Sequence, residues 1–140
     1  MSGPPAQGRS DTEFRFSCAM SKTVVVLGAT PKEDRFANRA MRMLQEHGHR
    51  AIPVNPAFDD VLGQPCLRSI TDVAEPIDTI TMYVGPARSE PLIADILAAK
   101  PRRILFNPGS ENDHIASEAR SAGIEVVEGC TLVMLGAGTF

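Results

Sequence analysis

Residues Thr23–Thr30 read TVVVLGAT, and this stretch decides the fold class. Val24 to Leu27 form an unbroken apolar run that meets Gly28-Ala29-Thr30, and a helical pattern takes over within a few residues. A short, β-branched run bounded by glycine predicts a strand buried on both faces, as in a parallel sheet. Small residues at its exit let a phosphate-sized group approach the backbone, where the N–H groups opening the next helix hold it. A nucleotide-type ligand is therefore the leading expectation. Replacing Gly28 with Val is expected to block binding while sparing the fold.

Strand and helix patterns alternate on the C-terminal side of this stretch. Phe36-Ala37, Ala40-Met41 and Leu44 make an apolar stripe at helical spacing, with Arg39, Arg42, Gln45 and Glu46 opposite and Gly48 to end it. The helix starts either at a capping box over Thr30-Pro31-Lys32-Glu33 or near Asp34. Ala51–Val54 is a second strand and Asp78–Val84 a third. Ser89–Ala99 is a second helix with Leu92, Ile93, Ile96 and Leu97 inward, and Arg103–Phe106 is a fourth strand. Ser110 with Asp113 resembles a capping box for a third helix that closes at Gly123. Glu125–Val127 is a fifth strand and Thr131–Leu135 a short, buried final helix. This alternation implies an α/β fold: a parallel sheet with right-handed crossovers and helices on both faces.

Strand exits share one punctuation. Val54-Asn55-Pro56, Val84-Gly85-Pro86 and Phe106-Asn107-Pro108 each reach a proline, as the first strand reaches Pro31. Proline ends a ladder and turns the chain outward. Ligands of open α/β sheets lie in the crevice at the carboxyl ends of the strands, so these tripeptides are expected to line one rim.

Composition narrows the functional classes. The chain has 140 residues, 43% hydrophobic and 22% charged, with a formal net charge of −3. That size suits one domain, the charge gives no basic footprint for nucleic acid, and no apolar run approaches the roughly 18 residues of a membrane span. Cys18, Cys66 and Cys130 form no CxxC pair, which points away from a zinc site or disulfide framework and toward a reducing cytoplasm. Residues 1–21 are rich in Gly, Pro and Ser, with Phe14 and Phe16 as anchors and Met20 as an alternative start. They are expected to form a flexible extension, leaving residues 22–140 as the domain.

The loop Gly28-Ala29-Thr30-Pro31-Lys32-Glu33 has neither GxGxxG nor GxxxxGK[ST] spacing. Lys32 and Arg35 supply positive charge beside it for a diphosphate. NAD-binding domains put an acid at the end of the second strand, and here Asn55-Pro56 stands instead, which disfavours NAD. Catalysis finds little support. His47 and His49 bracket Gly48, His114 has no obvious acid partner, and Asp59 and Glu111 have no recognisable partner either. Cys66 reads as the more exposed thiol and Cys130 as a small buried hydrophobe.

The order VVLGAT-PKEDRFAN, LQEHGHRAIPVNP, VLGQPC, FNPGSEN and GIEVVEGCTLVML resembles the CoA-binding domain family, small proteins similar to the N-terminal domain of the succinyl-CoA synthetase alpha subunit. The likeness runs from Thr23 to Leu135 and implies an α/β, Rossmann-like three-layer sandwich, its five-stranded parallel sheet in the order 2-1-3-4-5. It implies that Gly28, Ala29, Thr30, Pro31, Lys32 and Arg35 take the pyrophosphate of coenzyme A. Asn55-Pro56 and Tyr83-Val84-Gly85-Pro86 flank the adenosine and pantetheine, with Asn107-Pro108-Gly109 on the same rim. Many single-domain relatives carry an arginine at the third exit, where this chain has Tyr83-Val84-Gly85-Pro86. The expected role is binding of CoA or an acyl-CoA by a non-catalytic module, leaving room for a homodimer. A nicotinamide-dependent oxidoreductase or an interaction protein that has lost its ligand are the alternatives.

Overall fold

The computed structural model describes residues 21–140, so the expectations for Phe14, Phe16, Cys18 and Met20 lie outside the described residues. Five parallel strands make the main sheet: β1 (Thr23–Leu27), β2 (Arg50–Val54), β5 (Thr79–Met82), β6 (Arg103–Phe106) and β7 (Glu125–Glu128). Their order is β2-β1-β5-β6-β7, which is 2-1-3-4-5 when only these strands are counted. The helices are α1 (Phe36–Glu46), α2 (Pro86–Ser89), α3 (Ile93–Ala98), α4 (Asp113–Ser121) and α5 (Thr131–Ala137). None is long and apolar enough to cross a membrane.

Two cores explain why β1 is apolar from Val24 to Leu27. Successive side chains of a strand point to opposite faces. Val25 and Leu27 join Ile80, Ile96, Ile104 and Ile115 on the face covered by α3 and α4. Val24 and Val26 join Ala37, Met41, Leu44 and Leu135 on the face covered by α1 and α5. Val24, Val25 and Val26 are all fully buried. The apolar stripe of α1 is the inward one, with Ala40, Met41 and Leu44 inaccessible to solvent.

Several boundaries differ from the expected ones. Helix α1 begins at Phe36, later than either expected start, with Arg35 extended before it. Thr30 does not cap it, because its Oγ1 accepts from the Lys32 N–H in a local turn. The expected helix 89–99 begins earlier, at Pro86, and is interrupted by a 3₁₀ turn at Glu90–Leu92. Pro91 has no N–H to donate, which breaks the α-helical ladder there. Asn112, not Ser110, caps α4: its Oδ1 accepts from the Ile115 N–H at 3.0 Å. Ser110 instead closes a turn with the Asn107 carbonyl, through its N–H at 2.9 Å and its hydroxyl at 2.7 Å. Helix α5 extends to Ala137 and is only partly buried, with Val133 66% exposed.

The largest omission from the sequence reading is the segment after β2. A short hairpin, β3 (Asp60–Val61) and β4 (Gln64–Pro65), turns through Leu62 and Gly63, both at positive φ. It folds Cys66 inward to 7% exposure against the α1 face, so the thiol expected to be exposed is buried. Cys130 is the partly exposed one, because it precedes α5 at the rim. Leu67 then bridges to Val54, and a 3₁₀ turn follows at Ile70–Asp72.

Candidate functional site

The carboxyl ends of the strands converge on Gly28. Its φ of +97° is one that side-chain-bearing residues rarely adopt. A Cβ there would stand 2.9 Å from Val84 Cγ1 and 3.0 Å from the Tyr83 carbonyl oxygen. Gly28 is thus dictated first by contact with the neighbouring strand exit. This corrects the expectation that Gly28→Val spares the fold.

Hydrogen bonds lock this loop to the exit of β2. The Gly28 and Ala29 N–H groups both donate to the Val54 carbonyl, at 2.9 and 3.4 Å. Asn55 Nδ2 donates to the Ala29 carbonyl at 2.9 Å, and Asn55 Oδ1 accepts from the Ala57 N–H at 2.9 Å. Asn38 Nδ2 holds the Thr30 carbonyl at 3.0 Å. The N–H groups of Gly28, Ala29 and Lys32 are therefore occupied. Those of Thr30, Phe36 and Ala37 meet no acceptor among the described residues. The start of α1 also has no side-chain cap. An uncapped helix N-terminus is an anion-binding feature.

Two cavities open on either side of Gly28. The larger, about 490 Å³, is the polar one, and Thr30, Phe36 and Ala37 line it together with Lys32 and Arg35. Tyr83, Gly85, Pro108 and Gly109 close its other wall. Burial pushes the Tyr83 hydroxyl up to about 12, and it is hydrogen-bonded to the buried Thr131 and Thr81 side chains. The smaller, about 310 Å³, has the apolar wall Leu27, Val54, Ile70, Val84 and Leu92. Arg68 and Ser69 stand in it as polar groups, and Pro56 lines it as well. Gly28, Asn55, Val84 and Arg88 border both.

The charge pattern is one-sided. Lys32, Arg35, Arg68 and Arg88 line these cavities and no Asp or Glu does. None of the four makes an ion pair among the described residues, unlike Arg50 with Glu75 or Arg102 with Asp78 and Glu125. Arg68 and Arg88 were missed in the sequence. Arg88 lies on α2, two residues past the exit read as lacking an arginine, and Arg68 follows a hairpin that carried no strand pattern.

Other expected residues sit nearby without lining either cavity. Ala29 is fully buried under the loop. Pro31 and Pro86 are exposed beyond the linings. Asn107 is spent on the scaffold: its Nδ2 donates to Thr81 Oγ1 at 2.7 Å and the Met82 carbonyl at 2.8 Å, while its Oδ1 accepts from the Thr131 N–H at 2.9 Å. His114 does have an acid partner, Glu90, which the sequence left unrecognised. Hydrogen bonds from His114 and Asn112 hold the Glu90 carboxyl below its usual range. The pair borders neither cavity. Burial pushes the Cys66 thiol up, which makes it a poor nucleophile. No group of His, Cys, Asp and Glu among the described residues is arranged to hold a metal.

Comparison with known proteins matches this architecture to a family model described as CoA binding domain, over residues 22–136. An uncharacterized protein, YneT of Bacillus subtilis, is 31% identical over 86 residues, 61% of this chain and 62% of YneT. An ADP-forming acetate–CoA ligase of Archaeoglobus fulgidus is 34% identical over 70 residues, 50% of this chain and 10% of the ligase. The chain thus spans less than two thirds of either relative's length. A solved structure of an uncharacterized protein superposes with a TM-score of 0.82 at 43% identity, covering 86% of this chain and 98% of the other.

Proposed function

The chain belongs to the CoA-binding domain family, and from that premise we propose that it binds coenzyme A or an acyl-CoA across the two cavities that meet at Gly28. The carrying observation is the uncapped start of α1 at Phe36, just after Lys32 and Arg35, facing a cavity with no carboxylate in its lining. Unpaired N–H groups and cations there suit a diphosphate, whose charge the helix end also favours. The apolar cavity across Gly28 and Val84 suits a neutral part of the same ligand.

The adenosine and pantetheine run along Asn55-Pro56 and Tyr83–Pro86, with Pro108 and Gly109 on the far wall. NAD fits less well, since both ends of the Asn55 amide are engaged by backbone and no acid replaces it for the ribose hydroxyls. We assign no catalytic step: the Glu90–His114 pair lies off the cavities, and Cys66 is buried and protonated. The protein acts as a binding module.

Calorimetry with CoA, acetyl-CoA and NAD tests this reading. Saturable binding of CoA, with NAD weaker, is the expected result. Absence of CoA binding, or NAD binding as tightly, overturns it. Native mass spectrometry of protein purified from its own cells identifies the acyl form by added mass.

A further inference from the structure

Of the four cations at the cavities, one stands where a diphosphate does not explain it. Lys32 and Arg35 flank the start of α1, and Arg88 borders both cavities, within reach of the Gly28 loop they share. Arg68 borders only the apolar cavity. A wall of Leu27, Val54, Ile70, Val84 and Leu92 accommodates a base or an aliphatic arm, and neither needs a guanidinium. A charged, exposed side chain with no acidic partner beside such a wall points to a second anionic group on the ligand, separate from the diphosphate.

The position of Arg68 narrows what that group is. The Asn55 N–H donates to the Leu67 carbonyl at 2.8 Å, and the Leu67 N–H donates to the Pro53 carbonyl at 3.0 Å. The residue after Leu67 is thereby fixed beside the carboxyl end of β2. In doubly wound folds that end is where the ribose of a bound nucleotide lies, and a nearby arginine accommodates a ribose phosphate. Both ends of the Asn55 amide are held by backbone and the Ser69 hydroxyl is engaged by Thr71, so recognition of a charged group on this side falls to Arg68.

We propose that Arg68 is a specificity-determining residue that reads the ribose phosphate of the ligand and selects CoA over dephospho-CoA. The inference rests on the reading of the site as a CoA site, and its test separates the two. The full chain is titrated with CoA and with dephospho-CoA at fixed, low ionic strength, as wild type, Arg68→Met and Arg88→Met. Methionine keeps the apolar stem and removes the charge, and Arg68 makes no hydrogen bond whose loss unfolds the chain.

Wild type is expected to prefer CoA by about tenfold or more, the range of one charge-assisted contact. Arg68→Met is expected to lose that preference by weakening CoA alone, while Arg88→Met weakens both ligands alike. Equal loss for both ligands in Arg68→Met, or an unchanged preference, overturns the role given to Arg68 while leaving the CoA site standing. Binding of neither ligand by wild type overturns both.

Discussion

Gly28→Ala should be among the most damaging single-methyl additions in this chain, and for a reason unrelated to ligand. Two costs combine. A φ of +97° holds an L side chain in left-handed backbone, at about 1–2 kcal/mol. The new methyl also meets the Tyr83 carbonyl oxygen at 3.0 Å and Val84 Cγ1 at 2.9 Å, and it can relax only by moving the neighbouring strand exit. Overpacking of that kind costs about 1–3 kcal/mol. The sum, about 2–5 kcal/mol, lowers the melting temperature by roughly 10–20 °C in a domain of this size. Urea and thermal unfolding followed by circular dichroism measure it, with Gly136→Ala as comparator. Gly136 lies in α5 with nothing within 4 Å of an added Cβ, so that variant should be neutral or gain up to about 1 kcal/mol. A Gly28→Ala protein within about 0.5 kcal/mol of wild type would refute the argument, since such a result is ordinary for a surface change.

Asn107→Leu should cost about 3 kcal/mol in urea unfolding, because it removes the acceptor of the buried Thr131 N–H and two donated bonds to β5. Tyr83 is the one tyrosine and there is no tryptophan, so its ionisation can be followed cleanly by ultraviolet absorbance. It should ionise near pH 12; since the unfolded chain loses that proton near 10, its contribution to stability is complete below pH 10 and lost above. Burial and the charge of Lys22 hold His49 below its usual 6.5, with its Nδ1 accepting from the Lys22 N–H. Its contribution is therefore present above pH 6.5 and lost as pH falls, and an NMR titration should find a midpoint below 6.5; a higher one would refute the assignment.

The sheet was legible because its signals are local. Val24–Leu27 is apolar throughout since both faces of β1 are covered, and the proline at each strand exit marks where the ladder must stop. The order of strands came with the family resemblance, since crossover handedness alone does not fix it. What escaped reading depended on contacts between distant residues. Leu62-Gly63 is a hairpin turn without the Asn-Gly or Asp-Gly that announces one, so β3 and β4, the burial of Cys66 and the position of Arg68 were all out of sight. Glu90 and His114 meet only because the fold brings the 3₁₀ turn at Glu90–Leu92 to the start of α4. Asn55 and Asn107 stand at strand exits, yet sequence could not say that their amides are engaged within the scaffold, or that Asn107 lines neither cavity.

The strap that carries Arg68 also has a bearing on solubility. Strand β2 is the outer strand of the main sheet, and an open outer strand is a template for pairing with another chain. Pro53 contributes no N–H to that margin, and Leu67 pairs with its carbonyl and bridges to Val54, so the carboxyl half of the margin is closed from within. Trimming residues 57–68 to simplify the ligand mouth would therefore uncover a strand margin as well as removing a recognition element. The shortened chain would be prone to strand-to-strand association, and specificity would be redesigned more safely by side-chain replacement on the strap than by deleting it.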